Sequence, residues 1–137
     1  LAGDYDIRRE PKVADGRLDF LLSAQQKGDA DIYVEVKSVT LLSEETAGLG
    51  TFPDAVTERG LKHLRRLQAL KEEGYRAVLL FCVPHEGIER VQAAADIDPK
   101  YAAALAEVAS AGVEVLAYRV TFSEWGMALT TPLPVLI

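Results

Sequence analysis

At 137 residues with 49% hydrophobic content, the chain has the size of one ordinary domain and enough apolar material to bury a core, which excludes a disordered chain. A net charge of -6 and a pI near 4.9 exclude a uniformly basic surface, so any footprint for nucleic acid must be local. No run approaches the roughly 18 apolar residues of a membrane span and no signal-like segment opens the chain, so the sequence reads as soluble, with no membrane partner. Cys82 is the single cysteine, which excludes a disulfide framework or C-x-x-C site and fits a reducing cytoplasm. The chain starts at Leu1 without a Met and runs straight into "AGDYDIRRE", a start that predicts a further domain upstream.

In chain order, Tyr5 to Lys12 supplies a first strand, which Pro11 restricts to an edge or an end. An Asp15-Gly16 turn signal precedes "RLDFLL", Arg17 to Leu22, which reads as a strand. The polar stretch Gln25 to Asp31 then forms a hairpin loop into the long strand Ile32 to Leu41. Ser43 to Phe52 lacks periodicity and reads as a flexible loop. Leu61, Leu64, Leu67 and Leu70 recur at helical spacing up to Gly74, so Asp54 to Glu73 is predicted as an amphipathic helix with Asp54 as its N-cap. Gly60 inside that helix points to close approach by another element.

Arg76 to Val83 is apolar on both faces, the pattern of a central strand covered by helices on each side. Asp98 as N-cap, Pro99 at the first helical position and Gly112 past the end mark a second helix, followed by a strand over Val113 to Phe122. The tail "WGMALTTPLPVLI" adds a short strand or two at an edge. The order predicts a mixed α/β fold with a central sheet flanked by helices.

Alternation puts Tyr33, Glu35 and Lys37 on one face of the second hairpin strand, and pairing brings Asp19 beside them. Two neighbouring carboxylates repel unless a positive charge sits between them. Lys37 is one solution, as a cross-strand ion pair, and a divalent metal is the other. On the predicted helix, Arg59, Lys62, His63 and Arg66 fall at i, i+3, i+4 and i+7 and form a stripe opposite the leucines. From Thr57 to Lys71 five Lys and Arg residues face one acid, Glu58. That stripe reads either as a polyanion footprint or as a solvated face with a Glu58 to Lys62 pair, and His63 equally as a structural histidine. His85, at the end of the central strand, reads as structural.

Asp19 followed by Glu35-x-Lys37 on the next strand resembles the PD-(D/E)xK phosphodiesterase superfamily, whose strand order also matches. Leu18 stands where the motif has Pro. The resemblance implies a restriction-endonuclease-like core in which Asp19, Glu35 and the Val36 carbonyl bind Mg²⁺ or Mn²⁺ and Lys37 is the catalytic lysine, orienting or deprotonating the attacking water. The segments "RLDFLL", "YVEVKSVTL", "FPDAVTERGLKHL", "DIDPKYAAAL", "GVEVLAYRV" and "LPVLI" together resemble the sugar fermentation stimulation protein A (SfsA) family over Arg8 to Ile137. This second resemblance implies a nuclease-like C-terminal domain preceded by an OB-like domain, DNA as partner, and a link to regulation of sugar, especially maltose, metabolism. Under it Arg59, Lys62, His63 and Arg66 line the DNA groove. Relatives usually carry basic residues before "DIDP", whereas this chain has Ala93, Ala94 and Ala95, which argues against phosphate contacts from that loop. A non-catalytic DNA-binding regulatory module and a protein-interaction domain with an acidic surface are the alternatives to a Mg²⁺-dependent nuclease.

Overall fold

Local sequence accounts for the centre of the molecule, seen in a computed structural model that describes residues 5–10, 12, 13, 16–24, 28–124 and 126–137. Among these residues the order is β1 (Tyr5–Arg9), β2 (Lys12–Val13), β3 (Gly16–Arg17), β4 (Phe20–Ala24), β5 (Ile32–Ser38), β6 (Leu41–Leu42), β7 (Leu49–Phe52), α1 (Glu58–Glu72), β8 (Arg76–Val83), β9 (Arg90–Ala93), α2 (Pro99–Ser110), β10 (Glu114–Ser123), β11 (Gly126–Leu133) and β12 (Val135–Leu136). The main sheet runs β1-β4-β5-β8-β10-β11. Its centre, β5, β8 and β10, is parallel and its flanks are antiparallel, so β8 is central as its unbroken apolar run predicts. No helix among the described residues is long and apolar enough to cross a membrane.

The core lies mainly on the face of β8 that carries Ala77, Leu79, Phe81 and Val83. There Leu64, Leu67 and Leu70 of α1 and Ala104, Leu105 and Val108 of α2 join one cluster. At about 25 cal/mol per Å² of apolar area, such fully buried leucines contribute roughly 2 kcal/mol each before chain entropy is counted. A smaller cluster of Ile32, Val34 and Val78 lies on the opposite face, where Phe20, Leu22, Val36, Leu80 and Leu116 pack against it. Both helices therefore serve the first face, instead of one covering each side of β8 as its apolar run predicts, and among the described residues the second cluster is built from strands.

Several boundaries differ from those expected. The predicted strand Arg17 to Leu22 is divided: β3 pairs with β2, β4 pairs with β1 and β5, and Leu18 and Asp19 lie between. Leu18, at that break, is 2% exposed and belongs to the main core cluster. The predicted loop Ser43 to Phe52 contains β7, which pairs with β6 and β9 in a second sheet of order β12-β9-β7-β6. Gly50 permits that sheet to close on the core, since a Cβ there would lie 2.7 Å from Ile88 Cγ2. Helix α1 is capped by Thr57, whose Oγ1 accepts from the Gly60 N–H at 2.9 Å, and Asp54 stays exposed in the connection ahead of it. Helix α2 has the predicted cap, Asp98, and the predicted Pro99 start. The hairpin loop predicted at Gln25 to Asp31 falls partly on residues 25–27, the Asp15-Gly16 turn partly on 15, the tail partly on 125, and Pro11 on 11; these positions lie outside the described residues.

Candidate active site

Strand alternation places Glu35 and Lys37 on the α1 side of β5, since their parallel neighbours are Leu79 and Phe81 of the main core face. The β4–β5 register pairs Phe20 with Val34, and extended by one residue it sets Asp19 opposite Glu35. Because β4 begins only at Phe20, Asp19 is at the end of the ladder. There its Oδ2 accepts the Val36 N–H at 2.7 Å, a bond that fixes the carboxylate against β5.

Glu35 is 3% exposed. Its Oε1 lies 3.6 Å from Lys37 Nζ and 3.3 Å from His63 Nδ1, and those two nitrogens are 3.3 Å apart. Its Oε2 is buried with no hydrogen-bond partner. Burial, then the neighbouring Asp19 carboxylate, pushes the Glu35 carboxyl up from 4.5 to about 7, against the opposing pull of Lys37. The predicted Asp19, Glu35 and Lys37 are thus brought together, with burial and the second carboxylate outweighing the pull of Lys37 on Glu35.

The predicted basic stripe is divided by its surroundings. Arg59 and Lys62 are exposed on α1, Arg66 is half-buried, and His63 turns into the carboxylate site with its side chain 14% exposed. Arg65, outside the stripe, bridges to Glu107 of α2 at 2.7 Å. His85 accepts the Gly87 N–H within its own turn, as a structural histidine does. Past the end of β5, a cavity of about 50 Å³ is bounded by Ser38, Thr40, Thr51 and Asp54.

Sequence reasoning missed the buried surroundings of the site. Tyr101 of α2 is fully buried, packs its ring 5.4 Å from that of Phe52, and lies where a Cβ on Gly60 would come within 3.1 Å of its Cε2. The glycine signalled a close neighbour without naming it. Asp98 was legible as the α2 cap through its Oδ1 bond from the Tyr101 N–H, but its Oδ2 also accepts the Thr57 N–H at 3.0 Å and so joins the starts of both helices.

The donor set suits a hard divalent cation. Two carboxylates and a strand carbonyl at Val36 offer oxygen ligands, and a cation would relieve the acid–acid repulsion and give Glu35 Oε2 a partner. Among the described residues no three His, Cys, Asp or Glu side chains converge on one point, so such an ion would keep several waters.

The family model described as "Sugar fermentation stimulation protein RE domain" matches residues 1–126. A sugar fermentation stimulation protein homolog from Pseudoalteromonas atlantica is 54% identical over all of this chain and 57% of its own length. Another from Shewanella halifaxensis is 51% identical over 98% of this chain and 56% of its own. The chain spans a little over half the length of these relatives. Among solved structures, Pyrococcus furiosus SfsA in complex with Ca²⁺ is 32% identical, with a TM-score of 0.82 over 96% of this chain and 55% of that one. The mixed sheet with its helices accordingly has the nuclease-like, restriction-endonuclease-like layout. The chain belongs to the sugar fermentation stimulation protein (SfsA) family.

Proposed function

We propose that this domain is a divalent-metal-dependent phosphodiesterase acting on DNA, with Asp19, Glu35 and the Val36 carbonyl holding Mg²⁺ or Mn²⁺ and Lys37 as the catalytic lysine. The single observation that carries this reading is the unpartnered, buried Oε2 of Glu35 beside a second carboxylate, a cost that a protein rarely retains without use. The Ca²⁺ in the Pyrococcus furiosus relative supports a divalent ion of the same hard, oxygen-seeking kind. When bound, such an ion supplies Lewis-acid polarisation of a phosphoryl oxygen and acidifies a coordinated water.

The chain's own residues do the positioning. The Val36 N–H holds Asp19, while Lys37 and His63 hold Oε1 of Glu35. The Lys37 ammonium stabilises negative charge growing on the phosphoryl oxygens and orients the attacking water. Arg59 and Lys62, exposed on α1, with Arg66 behind them and His63 at the inner end, contact the phosphates of the DNA strand. In this reading the domain works in the cytoplasm beside an upstream OB-like domain.

The test is incubation of the protein with supercoiled plasmid and Mg²⁺ or Mn²⁺. Cleavage lost in Lys37→Ala is the expected result; no cleavage, or cleavage that survives that substitution, sinks the catalytic reading. The second reading, a non-catalytic DNA-binding module regulating sugar metabolism, is favoured by the closed contact of Glu35 Oε1, Lys37 and His63, which occupies the lysine without substrate. It expects salt-sensitive, metal-independent DNA binding that is lost on charge reversal of Arg59 and Lys62.

A further inference from the structure

Two polar atoms in the core beneath the site have nothing to bond: the hydroxyl of Tyr101 and Oε2 of Glu35. Tyr101 is 0% exposed and Glu35 3%. A desolvated hydroxyl or carboxylate oxygen without a partner is strongly unfavourable, so each requires a hydrogen bond in solution.

The fold puts both residues on the α1 side of β5. Gly60 of α1 gives way to the Tyr101 ring, and His63, one turn further along the same helix, touches Glu35. Phe52 lies edge-on to Tyr101 and also tilts against Phe81, the strand neighbour of Lys37, with centroids 5.5 Å apart. Between them the aromatic rings and Gly60 hold the phenol on the α1 side of β5. Two carboxylates act electrostatically on that phenol after burial has raised its pKa, Glu35 first and Asp98 second. Both Asp98 oxygens already accept backbone N–H groups, whereas Glu35 Oε2 accepts none.

We infer that Tyr101 is a positioning residue for Glu35, its hydroxyl donating through one buried water to Oε2. Direct contact is absent, and one water with two polar partners satisfies both orphans at once. The inference rests on the reading of Glu35 as a metal ligand for its functional consequence: the bridge sets the direction in which Oε2 faces an ion, as outer partners of ligands do.

Two measurements test it. In thermal melts of the metal-free chain, Tyr101→Phe is expected to lower Tm in the wild type and to leave it unchanged or raise it in Glu35→Met, since only the wild type has a bond to lose. Equal shifts in the two backgrounds, or a rise in the wild type, overturn the proposal. In calorimetric titration with Mn²⁺, Tyr101→Phe is expected to weaken Kd about 10-fold. Leu105→Ala, a core truncation elsewhere on α2, is expected to lower Tm and leave Kd alone. An unchanged Kd in Tyr101→Phe, or an equal loss in Leu105→Ala, overturns the positioning role. Failure of the wild type to bind Mn²⁺ overturns the proposed metal site instead, and the melts still decide whether the bridge exists.

Discussion

Glu35 and Asp98 are the buried charged residues among those described, and their environments are opposite. Asp98 accepts a backbone N–H on each oxygen, and these bonds, from Thr57 and then Tyr101, hold its carboxyl below the ordinary range. Glu35 has Lys37 and His63 beside one oxygen, no hydrogen-bond donor on the other and the Asp19 carboxylate close by, and its carboxyl is pushed up to about 7. Burial is common to both, so burial alone does not decide the direction; the supply of donors does. One acid is a structural joint between two helices. The other retains an unmet demand for positive charge, which is the property a metal ligand needs.

The contrast can be broken by experiment. The largest effect concerns catalysis: Glu35→Gln and Lys37→Ala are expected to reduce metal-dependent plasmid cleavage at least ~10²-fold. Asp98→Ala, assayed at a temperature where it is folded, is expected to stay within a few-fold of the parent. Equal losses in all three would erase the distinction. In thermal melts the order reverses. Asp98→Ala is expected to produce the largest fall in Tm, because the starts of both helices lose an acceptor, with Asp98→Asn intermediate. Glu35→Gln in the metal-free chain is expected to match or exceed the parent.

The pH dependence of stability sharpens the same contrast. A carboxyl raised from 4.5 to about 7 on folding stabilises the native state fully below 4.5, and that contribution is lost as pH rises to 7. Denaturant titrations of the metal-free chain should therefore show Glu35 lowering stability across that window by at most about 3 kcal/mol. Glu35→Gln should flatten the slope, and Mn²⁺ affinity should rise with pH through 7. Asp98 has the opposite sign: its contribution is present above 3.8 and lost as pH falls below it. The smallest effect is expected from Arg65→Ala, whose 2.7 Å pair with Glu107 is 48% and 60% exposed. Its loss should change unfolding free energy by less than about 1 kcal/mol, measured by denaturant titration, and leave cleavage unchanged.

How much of this was legible can be judged from particular residues. The face shared by Glu35 and Lys37 follows from strand alternation, and the α2 boundaries from Asp98, Pro99 and Gly112, because these signals act within a few residues of chain. Strands β6 and β7 were not legible, since two and four residues are too few to establish a period. Asp54 and Thr57 both have side chains suited to an N-cap; Thr57 was selected because its own N–H bonds Asp98, 41 residues away in sequence. The inward turn of His63 was likewise hidden in a stripe that spacing alone presents as solvent-facing.

By itself, then, the sequence determined the central β8 strand, the acid–acid–lysine group on one face of the hairpin and the capped second helix. Alternation, capping and apolar runs are local consequences of backbone geometry and side-chain chemistry. Tertiary structure alone decided that His63 reaches Lys37 across 26 residues, that Asp98 joins two helices, and that Tyr101 and Glu35 are each left with an unpartnered atom in the same core. Those features depend on how α1 and α2 rotate and settle together against the face of Leu79 and Phe81. That rotation is set by the packing of side chains distant in sequence, which no local pattern encodes.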